Sequence, residues 1–149
     1  MVGLFPHERL VAYQRARQFY QFVVALRSRP LRGLSDLYDQ LLRASGSVCH
    51  NLAEGAASYT PGSKLRYFRI ALASAGECAS ALDRLEDHGV LTGRELGESR
   101  GVLTEAAALT VGLIRRLVEP RDALPADQTA TAMGPPLDGP NDGTGKAKT

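Results

Sequence analysis

Apolar residues recur along the first 118 positions at alternating spacings of three and four, the period of an amphipathic helix. No stretch shows the strict alternation of a strand. The first stripe is Ala12, Ala16, Phe19, Val23 and Leu26, widened by Tyr13 and Tyr20. It predicts a helix from about His7 to Arg29, ended by Pro30 and Gly33. The second is Leu34, Tyr38, Leu41, Ser45, Val48 and Leu52, opened by Ser35 as N-cap with Asp36 in the first turn. It fades near Ser58. Thr60-Pro61 then supplies a capping hydroxyl and a proline at the first helical position. The third stripe is Leu65, Phe68, Leu72, Ala75, Ala79, Leu82 and Leu85, stopped by Gly89 as a left-handed C-terminal residue. Thr92 with Glu95 forms a capping box for the fourth: Leu96, Ser99, Leu103, Ala106, Thr110, Leu113 and Leu117.

Four such helices joined by short connections predict an all-α, antiparallel up-down four-helix bundle over residues 1–118. The seven-residue repeat favours shallow left-handed crossings. Composition changes after the fourth stripe. Five of the eight prolines lie from Pro120 onward, with four glycines and no aromatic residue. Such a segment buries too little to offset its ordering entropy. Residues 119–149 are expected to be a disordered Pro/Gly-rich tail.

Charge divides along the same boundary. Residues 1–118 hold 15 Lys/Arg against 11 Asp/Glu, a balance of +4. Residues 119–149 hold 3 against 5, a balance of −2. Arg9, Arg15, Arg17, Arg27, Arg29 and Arg32 crowd the first helix and its exit against Glu8 alone. Lys64, Arg66 and Arg69 form a second group around Tyr67. Arginine makes bidentate contacts with phosphate, and tyrosine can stack on an unpaired base. Arg9, Arg15, Arg17, Arg27, Arg29, Lys64, Arg66, Tyr67 and Arg69 are therefore the candidate nucleic-acid-binding residues. A solvated basic face that keeps the protein soluble is the competing explanation.

Other chemistry finds no support in the sequence. No apolar run reaches the roughly 18 residues of a membrane span, and the N-terminus lacks the basic and apolar regions of a secretory signal. A cytoplasmic protein with no membrane partner is expected. Cys49 and Cys78 sit about 10 Å out of register on antiparallel helices, beyond the roughly 7 Å a disulfide spans, so buried free thiols are expected. A di-iron bundle needs Glu-x-x-His motifs, and the sequence contains none; His7, His50 and His88 lie far apart. Ser45, Ser47 and Ser58 lack a basic partner at a meaningful spacing, and no phosphate-binding glycine loop occurs. The chain is expected to be no enzyme and to hold no cofactor or metal.

One polar pattern remains. At about 100° per residue, Asp36, Gln40, Arg43, Ser47, Asn51, Glu54 and Ser58 fall along one line of the second helix, away from its apolar stripe. Ser47, Asn51 and Ser58 are mediocre helix formers for a solvent face, and Gly55 costs about 1 kcal/mol against alanine. This favours close approach by another backbone. The third helix repeats the theme, with Ala73 and Gly76 among Arg69, Glu77, Ser80 and Arg84. Arg43, Ser47, Asn51, Glu54, Gly55, Gly76 and Glu77 are the candidate oligomer-interface or structural-motif residues.

The stretch Arg43-Ala44-Ser45-Gly46-Ser47-Val48-Cys49-His50-Asn51-Leu52-Ala53-Glu54-Gly55 resembles the signature of the small four-helix bundle proteins encoded in intervening sequences of bacterial large-subunit rRNA genes. Phe68, Ile70, Ala71, Ser74 and Glu77 match a second stretch of that family. Cys49-His50 stands where the family usually has proline and a basic residue. The resemblance covers about residues 8–118. The same fold is shared by the accessory variability determinant proteins of diversity-generating retroelements. What these likenesses imply is a homo-oligomer, a pentamer by analogy, acting as a non-enzymatic nucleic-acid-binding accessory or scaffold. Its partners would be RNA or DNA and a reverse transcriptase or other protein. The alternative is a protein–protein adaptor whose polar helix faces and tail recruit a partner.

Overall fold

The computed structural model describes residues 3–119. Four helices follow in order: α1 (Val11–Ala25), α2 (Ser35–Ala57), α3 (Pro61–Asp87) and α4 (Gly93–Val118). Single 3₁₀ turns flank α1 at Pro6–Arg9 and Leu26–Ser28. The described residues contain no strand. Each helix packs on its two neighbours, and α4 closes against α1. Pairings along the seams run in opposite senses, as an up-down bundle requires. Gly46 lies against Tyr20, Ser47 meets Ser74, and Arg100 reaches back to Asp83.

The apolar stripes meet in one core. Phe19, Val23, Leu26, Leu41, Leu52, Leu82 and Leu85 are fully enclosed. Full burial of one such side chain stabilises by roughly 1.5–3 kcal/mol. Three buried hydroxyls satisfy themselves on their own helices: Ser45 donates to Leu42 O (2.9 Å), Ser99 to Leu96 O (3.1 Å) and Thr110 to Ala106 O (2.8 Å). In α3 the buried line is Phe68, Ala71, Ala75, Cys78, Leu82 and Leu85, while Leu65, Leu72 and Ala79 sit half-buried beside it.

The helix ends are built as the residues suggest, with two differences. Thr60 Oγ1 accepts from Ser63 N (3.1 Å) ahead of Pro61. Thr92 and Glu95 form the reciprocal capping box. Gly89 has φ 69°, with Gly89 N–H on Glu86 O (2.8 Å) and Val90 N–H on Leu85 O (3.0 Å), the two bonds of a Schellman stop. The first difference is that no single helix spans His7 to Arg29. The chain is extended at Leu10 (φ −85°, ψ 110°), which lets Leu10 pack on the core while Pro6–Arg9 lies against α2. The second is that Ser35 is the first helical residue and caps nothing. Leu34, half-buried on the core, is the N-cap, and its side chain offers no oxygen. The expected tail lies, from Pro120 on, outside the described residues.

Candidate nucleic-acid interface

The up-down course sends the two ends of the bundle to different parts of the sequence. One end gathers the start of α1, the α2–α3 turn and the end of α4. The other gathers the exit of α1, the start of α2 and the α3–α4 turn. The candidate cations divide between them. Arg9, Lys64, Arg66 and Arg69 lie toward the first end, and Arg27 and Arg29 lie at the second. The arginines of the first helix and its exit are thus spread along the bundle axis.

The first end also receives Arg115 and Arg116 from the last turn of α4, where cations favour the helix dipole. Linear distance from the other clusters hides them in the sequence; only a closed bundle brings them round. Arg9, Lys64, Arg66, Arg69, Arg115 and Arg116 thus face three carboxylates at this end, Glu8, Glu54 and Glu119. Among the described residues none of the six cations forms an ion pair. Two long acid-free stretches explain this: Gly55–Gly76 and Ala106–Val118 contain no Asp or Glu.

Local hydrogen bonds hold the end in shape. Lys64 Nζ donates to Gly55 O and Ala56 O, both at 3.1 Å, and so closes the C-terminus of α2. Ser58 Oγ donates to Glu54 O at 2.8 Å. Lys64 is a clasp within the fold as well as a charge. The Arg66 guanidinium lies 5.8 Å from the Tyr67 ring centroid, and Tyr67 is half-buried. Arg9 donates to Gly3 O at 3.3 Å. Arg66, Arg69, Arg115 and Arg116 are exposed.

The second end is neutralised. Arg29 donates to Val90 O (2.8 Å) and pairs with Glu95, which joins the α1 exit to the α3–α4 turn. Its guanidinium, helped by hydrogen bonds from Thr92, holds the Glu95 carboxyl down at about 2. Arg94 pairs with Glu98 (3.2 Å) and Arg100 with Asp83. Midway along the bundle, Arg15 pairs with Glu105 (3.0 Å). Arg17 is exposed there, and its charge acts on Cys49. Arg29 and Arg15 are therefore committed to fold contacts, and only Arg27 of the second-end candidates is left exposed on α1's exit.

The polar line of α2 is mostly spent inside the chain. Ser47 Oγ and Ser74 Oγ share a hydrogen bond of 2.8 Å across the α2–α3 seam. Asn51, 8% exposed, donates to Ser47 O (2.8 Å) and Ser47 Oγ (3.1 Å). Gln40 accepts from Arg84 at 2.7 Å. Gly55 is bare because Phe68 of the same chain fills the space: a Cβ there would come within 2.7 Å of the Phe68 ring carbon Cδ1. The close approach inferred at Gly55 is thus an aromatic ring from α3. Glu54 is half-buried, and its carbonyl carries the Ser58 bonds. Arg43, Gly76 and Glu77 are exposed, and nothing lies within 4 Å of a Cβ built at Gly76.

Cys49 and Cys78 are free thiols. Burial pushes Cys49 up to about 11, partly offset by Arg17, and Cys78 up to about 12, with the Glu77 and Cys49 charges adding to it. Neither has the lowered value of a reactive cysteine. Among the described residues no three His, Cys, Asp or Glu side chains come together as a metal-binding group, and no helix is long and apolar enough to cross a membrane.

Comparison with known proteins agrees with this architecture. A crystal structure of a protein of unknown function from the S23 ribosomal protein family of Bacteroides thetaiotaomicron is similar to the chain. It has a TM-score of 0.63 and 20% identity over 70% of this chain and 96% of that one, which bears on the fold alone. No curated protein matches. The family model described as 23S rRNA-intervening sequence protein matches residues 8–112, which takes in the Asn51-Leu52-Ala53-Glu54-Gly55 segment and the Ser47–Ser74 seam it helps to build. By that match the chain belongs to the 23S rRNA-intervening sequence protein family.

Proposed function

We propose that the chain is a non-enzymatic nucleic-acid-binding accessory or scaffold protein, and that the α2–α3 turn and the end of α4 carry the contact. The observation behind this reading is the excess of cations over carboxylates at one end of the described bundle. Among the described residues Arg66, Arg69, Arg115 and Arg116 form no ion pair there, while Arg29, Arg94 and Arg100 toward the opposite end each pair with a carboxylate. Phosphate backbones reward such a surface through counterion release, with no sequence reading required. The homo-oligomer belongs to the same reading. A ring of several copies would multiply a modest charge per chain, since the folded part carries only +4. With Ser47, Asn51 and Gly55 used inside the chain, an interface between copies falls to exposed groups such as Arg43, Gly76 and Glu77.

The test is reversal of charge at each end separately. Arg66→Glu with Arg69→Glu, Arg115→Glu and Arg116→Glu is expected to abolish retention of a mixed-sequence RNA. Arg27→Glu with Arg32→Glu is expected to leave most of it. Equal losses from the two variants would refute a localised contact. Light scattering on the same samples gives the assembly: a mass of several chains fits the reading, and a monomer at micromolar concentration removes the oligomer from it. The adaptor reading gains if RNA is not retained at all.

A further inference from the structure

Tyr59 is completely exposed, at 100% of its possible surface. It sits at the tip of the α2–α3 turn, within the acid-free stretch Gly55–Gly76. Isolated apolar residues on a surface are ordinary, but this one is placed and held. Ser58 before it is tied to Glu54 O, and Thr60 after it caps α3 with Pro61 fixed behind. Lys64 of α3 clasps the end of α2 through Gly55 O and Ala56 O. The backbone carrying the ring is therefore ordered before any ligand arrives, and such an anchor loses little entropy on binding. The other tyrosine of this end, Tyr67, is half-buried, with the Arg66 guanidinium 5.8 Å from its centroid. Tyr59 is the ring with both faces open.

We infer that this end binds unpaired rather than duplex nucleic acid, with Tyr59 as a stacking platform for a base and the surrounding arginines on the phosphates. The inference rests on the nucleic-acid reading above and specifies its substrate. Bases inside a duplex have both faces covered by their neighbours, so a projecting ring finds no surface on them. A base in a loop, a bulge or a single strand offers its face, and aromatic stacking on it is tolerant of sequence.

A labelled mixed-sequence strand, as RNA and as DNA, is titrated alone and after annealing to its complement. Full-length wild type is compared with Tyr59→Ala, Tyr59→Phe and the quadruple arginine variant. The strand alone is expected to bind more tightly than the duplex. Tyr59→Ala is expected to weaken strand binding about tenfold while changing duplex binding little, and Tyr59→Phe to keep the wild-type affinity because the ring is retained. Circular dichroism should show the fold unchanged, since the side chain touches nothing. Equal binding of strand and duplex, lost only in the arginine variant, would overturn the inference while leaving the basic end as a contact surface. A change in assembly mass with Tyr59→Ala at unchanged affinity would make Tyr59 a subunit contact and overturn it as well. Binding of neither probe would remove both readings together.

Discussion

Gly55 and Phe68 show how one residue is fixed by another across a helix seam. The ring of Phe68, buried in the core, fills the position a Cβ would need at Gly55. Gly55→Leu must displace that ring, and overpacking of this kind costs about 1–3 kcal/mol. A melting temperature lowered by several degrees in thermal unfolding is expected; an unchanged value would show that the seam can open freely. Glu95 is the second instructive residue. Its carboxyl is held at about 2 by Arg29 and Thr92, below the usual carboxylate value of about 4.3. A group more acidic in the folded than in the unfolded state stabilises above the unfolded value, and that contribution is lost as pH falls through the folded one. The wild type is therefore expected to lose it between about pH 4.5 and 2. Glu95→Gln should melt lower at neutral pH and decline less through that window. Parallel pH profiles for the two proteins would contradict the assignment.

Among the elements, the α3–α4 connection is the most completely specified by local sequence. Gly89 at φ 69° stops α3, and Thr92 with Glu95 starts α4 three residues later. A side chain at Gly89 would pay roughly 1–2 kcal/mol for the left-handed conformation, so Gly89→Ala should lower stability measured by urea unfolding by about that amount. No loss would mean that the turn rearranges. The helices and most of their ends were legible in this way because capping and periodicity are short-range signals. The α1 entry was not: the expected helix ran on through Leu10, whereas the chain is extended there because Leu10 packs on a core the sequence does not display. The α2 polar line was visible, but its partner was not. A helix in a closed bundle is covered on two sides, and hydrogen bonds such as Ser47–Ser74 look from sequence alone like a solvent or subunit face.

Across the whole molecule, the candidate site was only half legible. Lys64, Arg66 and Arg69 stand together in the sequence, whereas Arg115 and Arg116 join them only because α4 returns to the same end. Arg29, a natural candidate by composition, is drawn off by Glu95, a carboxylate 66 residues away. Charge among the described residues is therefore organised along the bundle axis, balanced at one end and basic at the other. The family match fixes the kinship and the neighbouring structure the fold; the proposed nucleic-acid role rests on the basic end. The most direct measurement is a salt titration of binding to a mixed-sequence RNA strand, with wild type beside Arg115→Glu/Arg116→Glu. Each contacted phosphate on a single strand contributes about −0.7 to the slope of log affinity against log salt. The account expects tight binding at about 50 mM salt, a steep negative slope and a shallower slope in the variant. Binding that is absent at low salt, insensitive to salt, or unchanged in slope without Arg115 and Arg116 would contradict it.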